Sequence, residues 1–212
     1  MISTERAQAL YLDNDAAHGF DHVLRVWRLA MRIAREEGAD LAIVSDAALL
    51  HDVGRAEQMV HGGDHAAISA QIAEAVLSDA PEEHRQRVCE AIREHRFRSD
   101  RRPSTLESQV LFDADKLDAI GAIGVARAYA IAGAYHQHLW AEVSPAVAER
   151  LPTDGVDDLD SDTHTPVHEF QFKLRHLAEQ VVTPTAKRMA AERHVFMCAY
   201  FERLDREVAG AV

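Results

Sequence analysis

The stretch from Leu41 to Asp52 constrains the fold of this chain more than any other. Residues 41–50 read Leu-Ala-Ile-Val-Ser-Asp-Ala-Ala-Leu-Leu, and a helix that is apolar on nearly all sides belongs in a protein interior. His51 and Asp52 follow directly, and Gly54 is expected to end the helix. An imidazole and a carboxylate at this point form either a capped helix end or part of a metal site. Other chain segments must decide between the two.

Apolar residues at helical spacing recur along the chain, and several stripes contain a histidine. The stripes are His22-Val26-Leu29-Ile33, His65-Ile68-Ile72-Val76 and Val88-Ile92-His95. Residues three, four and seven apart share one face of a helix, so these histidines are predicted to face the core. No stretch shows convincing strand alternation, and the predicted fold class is all-α.

Helix boundaries follow from caps and breakers. We predict a first helix over residues 4–12, a helix from about residue 22 to Glu37, and one after Asp40. Residues 55–63 are interpreted as a loop, followed by helices from Asp64 and Pro81, then one from Ser104 or Thr105. Helical patterning returns over 166–182, and Thr183-Pro184 opens a final long helix. The chain is predicted to be one domain over 1–212, with an irregular insertion at about 135–165.

The composition of the chain argues against several classes of function. The chain has 212 residues, 47% of them hydrophobic, and a formal net charge of -12, which argues against binding a nucleic-acid polymer through its phosphates. Two cysteines, Cys89 and Cys198, exclude a cysteine-based zinc site. The first residues do not resemble a secretion leader, and no apolar run approaches a membrane span. We therefore expect a cytoplasmic protein without membrane association.

Four core-facing residues offer the donors of a divalent-cation site. His22, His51, Asp52 and Asp115 come from three helical segments. Asp115 lies in the run Val110–Asp118, where three aspartates stand among apolar residues and would be costly to bury without a cation or donors. Imidazole and carboxylate donors without thiolates favour Mn²⁺, Mg²⁺, Fe²⁺, Co²⁺ or Ni²⁺, and Mn²⁺ is the favoured ion.

These residues resemble the H…HD…D pattern of the HD superfamily of metal-dependent phosphohydrolases. The matching stretches are His18–Val26, the dyad His51-Asp52 and Asp113–Gly124. The last stretch is similar to a bacterial subgroup of small stand-alone HD hydrolases. The segments Phe172–Leu174 and Thr183–Met197 resemble the C-terminal helical pair of that subgroup.

The resemblance implies a helical bundle with one divalent ion in a central cleft, held by the four residues above. It also implies hydrolysis of a phosphate ester or anhydride in a small molecule, with a nucleotide favoured. A metal ion can supply hydroxide near neutral pH and offset charge on phosphoryl oxygens. Asp52 is then the expected catalytic residue, because one oxygen can bind the metal while the other orients the water.

His65 and His95 leave alternatives open. Some HD proteins bind a second metal through two additional histidines between the dyad and the final aspartate, and both residues lie on inward faces. We favour contact with substrate or with the surroundings of the first ion over a second ion, with core packing as the remaining alternative.

Several further residues are candidates for binding substrate or supporting the ligands. His18 either reaches the site or caps a helix start, and Asp118 either orients a ligand or pairs with an arginine. Asp113 is expected to face solvent or a neighbouring helix. The basic loop from Arg96 to Arg102 either attracts an anionic substrate or pairs with acidic neighbours. The candidate residues are His18, Arg25, Arg55, His65, His95, Arg96, Lys116 and Asp118.

Three functions compete at this point. The leading one is a metal-dependent phosphohydrolase, acting as a nucleoside triphosphate pyrophosphohydrolase or as a 5′-nucleotidase. The second is a non-catalytic, metal-containing regulatory domain that binds a ligand. The third is a di-iron HD oxygenase, which requires His65 and His95 as ligands. Apolar residues on the last helix serve either the core or a homodimer.

Overall fold

The regular elements of the protein are helices. The computed structural model describes residues 1–11, 19–96, 102–144 and 164–212, and no strand occurs in these ranges. The prediction of an all-α fold is therefore confirmed. The α-helices are α1 (Thr4–Gln8), α2 (Phe20–Glu37), α3 (Leu41–Leu50), α4 (Arg55–His61), α5 (His65–Val76), α6 (Glu82–Glu94), α7 (Leu106–Asp118), α8 (Gly121–Ala134), α9 (Pro166–Phe172) and α10 (Pro184–Val208), with a 3₁₀ helix at Leu174–Glu179.

The chain divides into two compact units. The first comprises Met1–Asp115 and Val182–Ala186, and the second comprises Lys116–Val181 and Lys187–Val212. The single domain expected over 1–212 stays a prediction. Within the predicted insertion, residues 135–144 contain no helix or strand, and 145–163 lie outside the described residues.

Local sequence signals set the helix ends in the first unit. The Ser3 side chain accepts from the Arg6 N–H at the start of α1. The Asp40 carboxylate accepts from the first backbone N–H groups of α3, which have no partner within the helix itself. Gly38 ends α2 with φ of 79°, a left-handed conformation that glycine adopts without steric cost.

Helix α3 forms the centre of the first unit. Every residue from Ile43 to Leu50 is buried, and α3 packs against α1, α2, α5 and α6. On α2, the side chains of His22, Val26 and Ile33 have no solvent exposure. The predicted stripe therefore faces the core, and it carries a histidine into the interior.

The prediction of a loop over 55–63 was wrong, because Arg55–His61 forms α4. None of its residues is buried, so the segment has no apolar stripe from which a helix could be recognised. Met59 and Val60 are 79% and 74% exposed. Gly62 and Gly63, both with positive φ, follow the helix.

The helix predicted over 166–182 is interrupted. Helix α9 ends at Phe172, and Lys173, with φ of -129° and ψ of -55°, separates it from the 3₁₀ helix. This break allows both Phe172 and Leu174 to be buried, which one regular helix would place on different sides. The predicted final helix is confirmed as α10.

Small residues let the helices of the second unit approach closely. A Cβ atom on Gly121 would lie 3.0 Å from Cβ of Arg193 on α10, and a Cβ atom on Gly124 would lie 2.3 Å from the Ala119 carbonyl oxygen. The rings of Phe170 and Phe201 stack with centroids 4.2 Å apart. The close approach to α10 explains Gly121, and the close approach to the turn before α8 explains Gly124.

The length and apolar character of the described helices bear on whether any of them could cross a membrane. No single one of them is long and apolar enough to cross a membrane. Helices α7 and α8 pass that test by length and composition only when the bent pair is taken together.

Asp113 anchors the segment that leads into α10. The alternative that it faces solvent was wrong, since its side chain is fully buried. Its carboxylate accepts hydrogen bonds of 2.7 Å from the backbone N–H groups of Val182 and Thr183, and from the Thr183 hydroxyl. Hydrogen bonds to a buried carboxylate are stronger than neutral ones.

We predict that Asp113→Ala lowers the free energy of unfolding by about 3 kcal/mol, because it leaves three donors without their acceptor. Asp113→Asn retains one acceptor oxygen and should lose less. The measurement is urea denaturation followed by circular dichroism. Exposed Asp79, changed to alanine, is the control and should show no such loss. Equal stability of Asp113→Ala and the control would contradict the anchoring role.

Candidate metal centre

The Asp52 carboxylate lies between two pairs of histidines in the first unit. Its Oδ2 atom is 3.6 Å from Nε2 of His22 and 3.6 Å from Nε2 of His51. Its Oδ1 atom is 3.5 Å from Nε2 of His65 and 3.7 Å from Nε2 of His95. Asp52 itself is 2% exposed. Both oxygens of one buried carboxylate are thus available to the same set of imidazoles.

The four residues of the H…HD…D pattern come together on one side of this carboxylate. The Nε2 atoms of His22 and His51 are 3.4 Å apart, and His22 Nε2 is 3.6 Å from Oδ1 of Asp115. His22, His51 and Asp52 form a compact group of donor atoms capable of holding a metal ion. The Asp115 side chain is 21% exposed, so this group has one edge open to solvent.

Helix ends orient two of the histidines in the same way. His51 follows the last residue of α3, and its Nδ1 lies 2.8 Å from the Ala48 carbonyl oxygen. His95 follows α6, and its Nδ1 lies 2.6 Å from the Ile92 carbonyl oxygen. These carbonyls belong to the last turn of a helix, where acceptors lack helical partners. An Nδ1–H donated to such a carbonyl leaves the Nε2 lone pair free to bind a cation.

Two contacts that sequence reasoning missed fix the turn carrying His51 and Asp52. The Tyr11 hydroxyl donates to the Leu49 carbonyl oxygen at 3.0 Å. The Gly54 N–H donates to Oγ of Ser69 at 2.9 Å, and a Cβ atom on Gly54 would lie 2.7 Å from the Ser69 backbone nitrogen. Only glycine allows the turn to approach α5 this closely. Sequence spacing carries no signal for either contact.

The second pair of histidines forms a comparable group with Asp52. Asp52, His65 and His95 are all buried, and their donor atoms lie within 4.8 Å of one another. Oδ1 of Asp52 and Nδ1 of His65 are buried and have no hydrogen-bond partner among the described residues. Such atoms require an explanation in a folded protein, and a bound cation or water explains the oxygen. The donor set therefore fits a metal ion on this side as well.

Burial sets the protonation of the ligands. It lowers the pKa of His51 to about 4 and the pKa of His65 to about 3, with Arg55 adding to the effect on His65. Burial by itself raises the pKa of Asp52, but the nearby imidazoles of His51, His22 and His95 and the charge of Arg55 hold it well below its usual range. Neutral imidazoles beside an ionised carboxylate are the forms that bind divalent cations.

The candidate arginines each contact a carboxylate. Nε of Arg55 lies 2.5 Å from Oδ2 of Asp52, so this residue touches the centre directly. Arg25 pairs with Asp21 at 2.5 Å, one turn earlier on α2. Nη1 of Arg96 lies 2.7 Å from Oδ1 of Asp64. The predicted pairing of the basic loop with an acidic neighbour is therefore present at Arg96, and residues 97–101 lie outside the described residues.

The remaining candidates are Lys116, Asp118 and His18. Asp118 is buried and accepts from Arg127 at 3.1 Å, so the expected pairing with an arginine is present, and a role in orienting a ligand stays a prediction. Lys116 is buried and belongs with Asp118 to the second unit. His18 lies outside the described residues.

Comparison with known proteins agrees with this arrangement. The HD-domain family model matches residues 19–120. The chain is 31% identical over 207 residues to YpgQ of Bacillus subtilis, covering 96% of this chain and 90% of YpgQ. This chain belongs to the HD superfamily of hydrolases. The H…HD…D resemblance is thus confirmed at the level of the family.

Solved structures of other HD proteins share the fold. A crystal structure of YpgQ in complex with ADP superposes with a TM-score of 0.73 at 29% identity, covering 99% of this chain and 100% of that one. A predicted HD superfamily hydrolase from an uncultured Thermotogales bacterium superposes with a TM-score of 0.67 at 28% identity, covering 96% of this chain and 90% of that one.

A shorter sequence match was found to ribonuclease Y of Chloroflexus aurantiacus. It is 36% identical over 96 residues, which are 45% of this chain and 17% of that protein.

We predict that the metal-free HD protein loses stability as pH falls from 6.5 toward 4. Between these values the unfolded chain binds protons at His51 and His65, whereas the folded chain with its lowered pKa values does not. The unfolded state is therefore favoured progressively as pH falls. Urea denaturation in EDTA at several pH values measures the slope.

The control compares two single variants. His51→Gln removes one titrating group and should reduce the slope, whereas changing exposed His61 to glutamine should leave it intact. A free energy of unfolding that does not change between pH 6.5 and 4 would contradict the burial of neutral imidazoles.

Proposed function

We propose that this protein is a divalent-metal-dependent phosphohydrolase acting on a small phosphorylated molecule. The observation that carries the proposal is the buried Asp52 carboxylate, with one oxygen 3.6 Å from two histidine nitrogens and the other 3.5 and 3.7 Å from two more. In this proposal His22, His51, Asp52 and Asp115 hold one ion, with Mn²⁺ favoured.

The group formed by Asp52, His65 and His95 changes our preference from one metal ion to two. We propose that His65 and His95 hold a second ion with Oδ1 of Asp52, because these three residues are as buried as the first group and Oδ1 has no hydrogen-bond partner among the described residues. Asp52 then contributes one oxygen to each ion. With a single ion, the same oxygen would instead accept a hydrogen bond from the attacking water.

The proposed chemistry divides between the ions and the protein. A bound divalent ion lowers the pKa of its water and offsets charge on phosphoryl oxygens. The groups around Asp52 keep its carboxyl ionised, and burial keeps His51 and His65 neutral. Arg55, 31% exposed beside Asp52, can turn a donor toward a phosphate oxygen. Its pairing with Oδ2 also contributes to the lowered pKa of the Asp52 carboxyl.

A nucleotide is the substrate class we favour. YpgQ, which this chain matches over nearly its whole length, has been crystallised in complex with ADP. The match to ribonuclease Y covers only 17% of that protein, and a net charge of -12 disfavours a polymeric phosphate backbone. Nucleoside triphosphate pyrophosphohydrolysis and 5′-monophosphate dephosphorylation both fit the centre.

A substrate panel tests the proposal. The protein, stripped of metal and reloaded with Mn²⁺, Mg²⁺, Co²⁺, Ni²⁺ or Fe²⁺, is offered nucleoside mono-, di- and triphosphates and a short RNA. We expect release of phosphate or pyrophosphate from a nucleotide, highest with Mn²⁺, and no cleavage of the RNA. Absence of release with every metal would overturn the phosphohydrolase.

The placement of His65 and His95 beside Asp52 keeps a di-iron oxygenase as the second candidate. Its test is oxygen consumption by the iron-loaded protein with the same panel and with non-phosphorylated alcohols. Oxygen uptake without phosphate release would favour the oxygenase, and metal binding without either reaction would favour a regulatory domain.

We predict that Asp52→Ala loses both bound metal and turnover, because it removes the oxygens on which both groups of donors converge. Metal content is measured by elemental analysis after gel filtration, and turnover by phosphate release. Asp52→Asn should also lose turnover, since a neutral amide cannot replace an ionised carboxylate. The control Asp79→Asn should match the natural protein, and a metal-loaded, active Asp52→Ala would contradict the assignment.

A further inference from the structure

An ion pair lies next to the two histidines of the second group. Asp64 precedes His65 and Arg96 follows His95, so each partner is one peptide bond from a histidine that faces Asp52. Nη1 of Arg96 is 2.7 Å from Oδ1 of Asp64. We propose that this pair, the clasp, positions His65 and His95 around the second ion. The inference rests on the two-ion arrangement of the proposed function.

The clasp joins the beginning of α5 to the residue that follows His95 at the end of α6. Asp64 caps α5, since its Oδ1 also accepts from the Ala66 N–H at 3.2 Å. Arg96 continues the chain after α6, where His95 has just left the helix. Holding Asp64 against Arg96 therefore fixes the beginning of one helix against the end of another. Those are the two points from which His65 and His95 reach Oδ1 of Asp52.

The orientation of His65 makes such a device necessary. The Nδ1 atoms of His51 and His95 are held by helix carbonyls, but Nδ1 of His65 has no hydrogen-bond partner among the described residues. No hydrogen bond to Nδ1 therefore orients this ring, and its position depends on where its backbone lies and on its contact with the His95 ring, whose centroid is 5.4 Å away. Asp64, as cap residue and partner of Arg96, determines that position.

The clasp contributes little to stability. The Arg96 and Asp64 side chains are 28% and 50% exposed, and exposed ion pairs contribute about 0.2–1 kcal/mol. Groups that orient metal ligands have a larger effect on the metal, typically 10–100-fold in affinity. The clasp is thus expected to act on metal affinity while leaving the fold intact.

Electrostatics and ligand positioning predict opposite changes in cation affinity for the variant Arg96→Gln. Arg96→Gln removes a positive charge near the second ion and leaves Asp64 ionised, so electrostatics alone would strengthen cation binding. Loss of positioning would weaken it. Asp64→Asn retains the helix cap, because asparagine caps as well as aspartate, and removes the ion pair together with the negative charge of Asp64. Arg96→Gln is therefore the variant that separates charge from positioning. Arg96→Lys keeps the pair.

The experiment is a calorimetric titration of the metal-free full-length protein with Mn²⁺. The variant His95→Gln identifies which of the two binding steps belongs to the second group. We expect Arg96→Gln and Asp64→Asn to weaken that step at least about tenfold, with the other step unchanged and Arg96→Lys close to the natural protein. Exposed Arg93, on the same helix, is changed to glutamine as the control for charge and should change neither step.

The outcomes separate the clasp from the proposed function. Unchanged or tighter binding by folded Arg96→Gln would overturn the clasp. If the KM for a nucleoside triphosphate then rises, Arg96 binds substrate instead. A single binding step in the natural protein would overturn both the second ion and the clasp, while phosphate release by that protein would leave the hydrolase intact. Circular dichroism of each variant verifies the fold.

Discussion

The burial of one ionised carboxylate is the constraint on which the first unit depends. Removing a carboxylate from water costs several kcal/mol, and only close partners of suitable charge and geometry offset that cost. Asp52 is 2% exposed, and four imidazoles and the Arg55 guanidinium surround it. The helices must therefore position these groups around one point, and helix ends meet there.

The ends of the helices position the histidines around Asp52. His51 and His95 each occupy the position just after a helix, where carbonyls of the last turn accept from Nδ1 and turn Nε2 toward Asp52. His65 occupies the first position of α5, and the close approach at Gly54 joins that helix to the Asp52 turn. Carbonyl groups at helix ends are thus used to orient ligands, and burial lowers the pKa of His51 and of His65 so that both are neutral near neutral pH.

The distribution of charge around the centre fits a small anionic substrate better than a polymer. The protein is acidic overall, and Arg25, Arg55 and Arg96 each contact a carboxylate. These three candidate arginines are therefore already paired with carboxylates of the protein. Under the proposed function the metal ions supply most of the positive charge that a phosphate meets, so binding depends on the loaded centre.

The sequence by itself determined the helical class, the caps at Ser3 and Asp40, and the inward placement of His22, since these depend on periodicity and on groups a few residues apart. It also identified the H…HD…D residues, because their types are costly to bury singly. Tertiary structure alone decided the features that depend on distant contacts. Helix α4 forms without a buried face, and Asp113 anchors Thr183 through a hydrogen bond. The Tyr11 hydroxyl donates to the carbonyl of Leu49 beside the Asp52 turn, and His65 and His95 lie against Oδ1 of Asp52. Which residues meet across such distances is fixed by packing, and a single sequence does not record it.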